Sequence, residues 1–201
     1  SGYVNDISRI PEMFRTAFTQ MKHGRPAPTM IETPSDVAEG DYPDDLDYRP
    51  VKVHRSAADP DEVRDLVTAL LKASVPMMYV GQGVHYAEAY DELIEFAELT
   101  HIPVMTTLAG KSAFPESHRL ALGTGGNSGT LMGHHYLKKT DFCLGVGAGF
   151  TNTHFNAPVP QNVPLAQITN AVEDINKDHE IDFGAIGDAK LVLRQMIEEV
   201  K

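Results

Sequence analysis

The sequence predicts an α/β fold in which a Rossmann-like parallel sheet is flanked by helices and preceded by a helix-strand remnant. Helical stripes alternate with short strands from residue 59 onward. Several of these strands, such as VPMMYV and DFCLGV, are continuous apolar runs, as expected for strands buried on both faces. Glycine-rich turns follow the strands, where domains of this class place their ligands.

The bulk properties of the chain exclude several classes of protein. A formal net charge of −11 over 201 residues argues against binding to nucleic acids or anionic membranes, because both require a positive field. No apolar run is long enough to span a bilayer, and residues 1–15 lack the pattern of a signal peptide. The single cysteine, Cys143, rules out an internal disulfide and favours a cytoplasmic location. Its apolar neighbours predict a buried core residue.

The first segment predicts a helix followed by a strand. Apolar residues recur at helical spacing from Ile7 to Met21, Pro11 fits the first turn, and Gly24 marks the end. The run APTMIETP then has the character of a short strand, and no strand is predicted before the helix. The following acidic stretch, rich in proline and glycine, is interpreted as a linker over residues 38–58.

The remainder of the chain is regular. Asp59 is the expected N-cap of a helix that has Pro60 in its first position. The elements predicted after it are strand VPMMYVG, helix AEAYDELIEFAELTH, strand IPVMTTL, a loop, a helix near SGTLMGHHYLKKT, strand DFCLGVG, a long loop, strands PLAQIT and IDFGAIG, and helix DAKLVLRQMIEEV.

Glycine-rich turns mark the candidate site. They begin at Gly81 after one strand, at Gly123 after the short run LAL, and at Gly147 after a third strand. Glycine allows a close approach to a phosphate, so the turns are candidates for binding a nucleotide or dinucleotide across the sheet edge. The alternative is that the tight turns require glycine for steric reasons, and the sequence leaves both open.

Known nucleotide and metal motifs are incomplete. The dinucleotide fingerprint fails because Tyr86 stands at its third glycine. The Gly-Lys-Ser of TTLAGKSAFP is not a P-loop, since Met105 replaces its first glycine and Pro115 follows closely; Lys111 is expected at the surface. A calcium loop beginning at Asp174 lacks its glycine and glutamate. No nucleophile elbow or acid/base pair is evident.

Taken in order, the runs GRPAPTMIETPSDV, PVMTTLAGKSAFPESHRLALGTGGNSG, DFCLGVGAGF and GDAKLVL resemble thiamine-diphosphate-dependent enzymes of the acetolactate synthase type. That group includes oxalyl-CoA decarboxylase, glyoxylate carboligase and benzaldehyde lyase relatives. The resemblance implies that residues 1–37 end a pyrimidine-binding domain, that residues 38–58 form a linker, and that residues 59–201 form a central Rossmann-like domain.

The resemblance also implies a function for the whole protein. The parent is expected to be a thiamine-diphosphate-dependent lyase or transferase, a decarboxylase or carboligase that acts on 2-keto acids or related acyl donors. An acetolactate synthase-like parent is the first expectation, and an oxalyl-CoA decarboxylase-like parent is the second. The catalytic glutamate and the motif that holds the diphosphate and magnesium lie in family domains outside this chain. The fragment itself is therefore expected to be non-catalytic.

The expected partners of the fragment are the remaining domains of the same chain, within a homo-oligomeric parent. Two alternatives from the sequence remain open: a free-standing NAD-binding module and a pure assembly domain.

Some members of the family bind FAD or ADP in the central domain. Three departures disfavour such binding here: Gly149 replaces an arginine, Asn170 replaces an acid, and Gln82 replaces a glycine. Without the arginine, a charge-assisted contact to a diphosphate is lost. The positions that match the family's nucleotide contacts are Gly81, Gln82, Gly83, Thr107, Leu108, Gly123, Gly125, Asn127, Gly147, Ala148, Asn170 and Asp188.

Overall fold

The computed structural model describes residues 2–42, 48–126, 129–153 and 158–201. The chain divides into two compact units, Ser1–Arg55 and Ser56–Lys201. The assignment of residues 1–37 to the end of a preceding domain stays a prediction. Among the described residues, no helix is both long and apolar enough to cross a membrane.

The first unit is built around one helix. A 3₁₀ turn, Ile7–Arg9, leads into helix α1 (Ile10–Lys22), and the Asp6 carboxylate accepts a hydrogen bond from the Ser8 N–H at 2.8 Å. Strand β1 (Gly2–Tyr3) pairs in parallel with strand β2 (Ile31–Glu32).

The expectation that no strand precedes α1 was therefore wrong, because two residues are too few to show an alternating pattern. A short helix, α2 (Ser35–Ala38), lies at the end of residues 1–37 and overlaps the predicted linker only at Ala38.

The second unit holds a six-stranded parallel sheet in the order β5-β4-β3-β6-β7-β8. This order is that of a Rossmann domain, and it confirms the predicted fold class. The strands are β3 (Pro76–Val80), β4 (Val104–Thr106), β5 (Ala121–Thr124), β6 (Phe142–Val146), β7 (Leu165–Thr169) and β8 (Phe183–Ile186). The helices are α3 (Pro60–Lys72), α4 (Gly83–Ala87), α5 (Tyr90–Thr100), α6 (Leu131–Leu137) and α7 (Ala189–Val200), with a 3₁₀ turn at Val172–Asp174.

Both faces of the sheet are covered, as the continuous apolar strands predicted. On one face, α3, α5 and α7 bury side chains such as Leu66, Phe96 and Met196 against the sheet. On the other face, α6 and the connections after β6 and β7 enclose a second core. This second core contains Met77, Tyr79, Met105, Leu122, Cys143, Ala148, Phe150, Val159 and Leu165.

Element boundaries differ from the predictions in three places. The predicted helix AEAYDELIEFAELTH begins only at Tyr90, because Glu88 adopts a left-handed conformation (φ 53°) that ends the short helix α4 before it. Gly123 lies inside β5 instead of following a strand. Helix α6 covers only the middle of its predicted segment and is capped by Thr130, whose hydroxyl accepts from the Gly133 N–H at 3.1 Å.

The stretch that leads into α3 is fixed to the last helix. The Gln195 side chain accepts a hydrogen bond from the Ala58 N–H at 3.1 Å and donates one to the Ala58 carbonyl at 3.0 Å. The Asp188 N–H donates to the Ser56 carbonyl at 2.8 Å. A Cβ at Gly187 would lie 2.9 Å from the Ala58 nitrogen, so the two backbones touch at this point.

Candidate functional site

The six strands are parallel, so their carboxyl ends form one edge of the sheet, and most of the predicted site residues lie along it. Strands β3 and β6 are neighbours at the centre of the order, and the connections that follow them run to opposite halves of the sheet. In open α/β sheets this switch point is the usual place for a ligand. The turns after β3 and β6 are therefore the centre of the candidate site.

The glycines of these two turns pack backbone against backbone. A Cβ at Gly81 would lie 2.3 Å from the Gly147 carbonyl oxygen, and one at Gly83 would lie 2.6 Å from the Gly147 Cα. Gly147 itself adopts φ 58°, which favours glycine. Glycine is thus required here by the close approach of the turns, in agreement with the steric alternative. Gln82, between the two glycines, is exposed.

The N–H groups of the same glycines donate to protein carbonyls. The Gly81 N–H donates to Val146, the Gly83 N–H donates to Gly147, and the Gly147 N–H donates to Ile168, each at 2.9 Å. These bonds extend the sheet by one residue beyond the strands. A phosphate at this point would have to compete with the sheet for its donors.

The turn after β4 is stabilised by hydrogen bonds of one of its own residues, Thr107. The Thr107 N–H donates to the Val80 carbonyl at 2.8 Å, and the Thr107 hydroxyl accepts from the Gly110 N–H at 2.9 Å. Leu108 is 61% exposed and makes the apolar rim of the edge. Lys111 forms an ion pair with Glu116 at the surface, which is where the sequence predicted it.

The glycines in and just after β5 make close contacts and hydrogen bonds at the edge of the sheet. Gly123 adopts φ 81°, and a Cβ there would meet the Thr130 side chain at 2.4 Å. The Gly125 N–H donates to the Thr106 carbonyl at 2.8 Å. Asn127, another predicted contact, lies outside the described residues.

The remaining predicted residues follow β6, β7 and β8. The Ala148 carbonyl accepts from the buried Gln167 side chain at 3.0 Å, and Asn170 is exposed directly after β7. Asp188 is the N-cap of α7, where its carboxylate accepts from the Lys190 and Leu191 N–H groups at 3.1 and 3.4 Å. Asp188 thus has a structural role as a helix cap, and this role does not depend on a ligand at the sheet edge.

Three residues near this edge were not predicted from the sequence. Phe150 adopts φ 46° and places its ring on Gly145, where a Cβ would lie 2.6 Å from Phe150 Cζ. Gln167 is fully buried in β7, and its Oε1 has no hydrogen-bond partner among the described residues. Asp174 is only 9% exposed, and its Oδ2 lies 3.6 Å from the position of a Cβ at Gly149. The sequence gives a signal for Gln167, which is a polar residue within the apolar strand LAQIT. It gives no such signal for the contacts of Phe150 and Asp174.

The described part of the chain offers little chemistry of its own. It contains no group of three or more histidine, cysteine, aspartate or glutamate side chains that could hold a metal ion. Burial raises the pKa of the Cys143 thiol to about 12, which makes it a poor nucleophile at neutral pH.

The strand order and the glycine turns at the switch point define a Rossmann-type α/β domain. Residues 63–196 match the family described as "Thiamine pyrophosphate enzyme, central domain". The chain belongs to this family, and the sequence resemblance is confirmed.

Curated relatives agree with this assignment. The chain is 35% identical to the acetolactate synthase large subunit of Corynebacterium glutamicum over 98% of its length, covering 32% of that protein. It is 32% identical to the probable acetolactate synthase large subunit of Methanococcus aeolicus over 98% of its length, covering 34% of that protein. Glyoxylate carboligase of Escherichia coli is 31% identical over 97% of the chain, which covers 34% of it. The chain thus spans about a third of the length of these relatives.

Solved structures share the fold. A thiamin diphosphate-dependent enzyme from Mycobacterium smegmatis superposes with a TM-score of 0.81 at 23% identity, over 99% of this chain and 39% of that one. Benzoylformate decarboxylase from Polynucleobacter necessarius gives a TM-score of 0.80 at 20% identity, over 98% of this chain and 37% of that one. At these identities the likeness establishes the architecture.

Proposed function

We propose that this chain is the central domain of a thiamine-diphosphate-dependent decarboxylase or carboligase that acts on 2-keto acids, with an acetolactate synthase-like parent. The observation that carries the proposal is the 35% identity to an acetolactate synthase large subunit across 98% of the chain. The similarity to a glyoxylate carboligase supports the wider class of enzymes that join or cleave carbon–carbon bonds. The parent is accordingly a lyase or transferase.

The chemistry of such a parent belongs to its cofactor, whose thiazolium ring acts as an electron sink beside a carbonyl carbon. The family resemblance places the residues that hold thiamine diphosphate and Mg²⁺ in other domains. We assign cofactor and metal binding in this protein to those domains of the parent. The domain itself is structural in this proposal: it spaces the two cofactor-binding domains and contributes to contacts between subunits.

The remaining expectations about the parent are part of the same proposal. Its partners are the other domains of the chain and further copies of itself in a homo-oligomer, and it works in the cytoplasm. Nucleic acids are not expected partners of this segment, because its net charge of −11 repels a phosphate backbone.

The test uses the complete protein that contains this chain. Supplied with thiamine diphosphate and Mg²⁺, it should convert pyruvate to acetolactate with release of CO₂, whereas the 201-residue chain alone should show no turnover. The matched control replaces this segment in the complete protein with the corresponding segment of the C. glutamicum enzyme, which should retain activity if the domain acts as a spacer. A complete protein that neither binds thiamine diphosphate nor consumes any 2-keto acid would refute the proposal.

A further inference from the structure

One corner of the carboxyl edge exposes large apolar side chains. Leu131 and Met132, in the first turn of α6, are 86% and 63% exposed, and Leu108, in the turn after β4, is 61% exposed. Strands β4 and β5 are neighbours, with Thr106 opposite Thr124 at their carboxyl ends. The residue that caps α6 donates its N–H to the last carbonyl of β5 at 3.2 Å. The three apolar residues, which we call the corner patch, therefore lie beside the ends of two adjacent strands.

We propose that in the complete protein the corner patch is covered by another domain of the same polypeptide, which contacts it through an apolar surface. This inference rests on the proposed function and assigns a docking surface to the domain. The chain spans only 32–34% of the length of its acetolactate synthase relatives, so about two thirds of such a parent lies outside residues 1–201 and is available to pack here.

The first support is the composition of the helix start. The positive end of a helix dipole favours acidic side chains in the first turn. Helices α3 and α5 follow this rule, each with an aspartate and a glutamate in that turn. Helix α6 instead begins with Leu131 and Met132, and its first turn has no acidic residue. Exposed apolar residues add nothing to the helix itself at this end, so they indicate a contact outside the domain.

The corner patch is also not needed to hold α6 on the sheet. Gly133 is buried, and a Cβ there would lie 3.1 Å from the sulfur of Met105 in β4. Tyr136 and Leu137, one turn further on, pack against the second core. Because other residues of α6 make the contacts with the sheet, the two apolar side chains of its first turn are left for a partner.

The second support is a lack of charge on the face that α6 covers. The chain has 17 basic and 28 acidic residues, but the segment 117–172 contains only four of them: Arg119, Lys138, Lys139 and Asp141. The segment supplies β5, α6, β6, β7 and their connections. Charged residues are depleted at the core of protein interfaces, whereas an open surface is normally rich in them. This composition therefore favours an interface on this face of the sheet.

The charges that remain indicate the chemistry of the partner surface. The Asp141 carboxylate accepts hydrogen bonds at 2.8 Å from two backbone N–H groups before β3. Lys138 and Lys139 follow α6 directly and are exposed. We expect the covering domain to have an apolar centre against the corner patch and acidic groups opposite these two lysines.

The direct test is hydrogen exchange of the complete protein and of the 201-residue chain, followed by mass spectrometry. The amides of residues 107–112 and 130–137 should exchange at least about tenfold more slowly in the complete protein, because the covering domain excludes water. The amides of α3, on the opposite face, are the internal control and should exchange equally in both. Equal exchange at the corner patch, or the same slowing over α3, would overturn the inference.

The covering partner is identified by cross-linking. Leu131 of the complete protein is replaced by the photo-reactive residue benzoylphenylalanine, and the illuminated protein is separated on a denaturing gel. We expect a product with the mass of one chain, in which position 131 is linked to a residue outside 1–201. A product with twice that mass would assign the patch to a second copy, and no link outside residues 1–201 would leave it without a partner; either result overturns the inference.

A substitution with a matched control measures the contribution of the contact. Leu131→Gln and Leu71→Gln each change an exposed leucine, on α6 and on α3 of the opposite face. In the 201-residue chain, both should shift Tm by less than about 2 °C. In the complete protein, only Leu131→Gln should speed the proteolytic release of this domain, by about threefold or more. Equal rates in the two variants would contradict the contact. None of these readouts needs turnover, so a complete protein that consumed no 2-keto acid would refute the proposed function alone.

Discussion

The close packing of the turns after β3 and β6 predicts that Gly81→Ala is strongly destabilising. The new Cβ would lie 2.3 Å from the Gly147 oxygen, whereas ordinary contact begins near 3.4 Å, so the turns must separate by about 1 Å. Separation on this scale breaks the hydrogen bonds from Gly81 to Val146 and from Gly83 to Gly147. Each bond contributes about 1 kcal/mol, and the strain of overpacking adds about 1–3 kcal/mol.

The reduced flexibility of the unfolded chain offsets about 0.5 kcal/mol of this loss. The net loss is therefore about 3 kcal/mol, which corresponds to a fall in Tm of about 6–12 °C for a chain of this size. Urea denaturation followed by far-UV circular dichroism measures the change.

The matched control for this experiment is Gly184→Ala in β8. Its new Cβ would lie 3.6 Å from Ile175 Cδ1, its nearest contact among the described residues. Since glycine weakens a strand, this substitution should be neutral or stabilising by about 0.5 kcal/mol. If Gly81→Ala were as stable as Gly184→Ala, the two turns could separate at little cost in free energy, and their close contact would not explain the glycine at position 81.

Three further predictions concern other buried groups. Burial raises the pKa of the Cys143 thiol from 9.0 to about 12, so the stability contributed by the buried neutral thiol declines as the pH rises above 9. Iodoacetamide at pH 8 should label Cys143 only as urea unfolds the chain. Rapid labelling of the native chain would contradict the burial of this residue. Glu92 is 7% exposed and contacts Arg194 Nη2 at 2.8 Å and Lys190 Nζ at 3.7 Å. Glu92→Gln should lower the free energy of unfolding by about 2 kcal/mol, measured by denaturant titration. An unchanged midpoint would show that these ion pairs do not contribute to stability. Asp188→Ala should cost about 1 kcal/mol through loss of the N-cap, whereas Asp188→Asn should cost little because asparagine also caps; equal losses in both variants would contradict the capping role.

The helices were predictable because their signals are local. Asp59 and Pro60 marked the start of α3, and apolar stripes at helical spacing marked α1, α3 and α7. The parallel sheet followed from apolar strands that had to be buried on both faces. Strand β1 and helix α4 were missed because elements of two and five residues show no periodicity.

The candidate site was predictable in position but not in detail. Parallel strands bring their carboxyl ends to one edge, and the structure shows that the turns at Gly81 and Gly147 are neighbours there. Whether they leave space between them depends on contacts between segments more than 60 residues apart, which no local pattern encodes. The approach of Asp174 to Gly149 is a non-local contact of the same kind. The assignment of the twelve residues to nucleotide binding stays a prediction.

The attachment of residues 56–58 to α7 has a mechanical consequence. Tension that enters the second unit at Ser56 reaches α7 through the bond from Asp188 and the paired bonds between Gln195 and Ala58. The load thus passes to the body of the sheet before it reaches the first turn of α3. Gln195→Ala removes the acceptor of the Ala58 N–H and loosens this attachment, so the amide of Ala58 should lose protection from hydrogen exchange before the rest of the domain does.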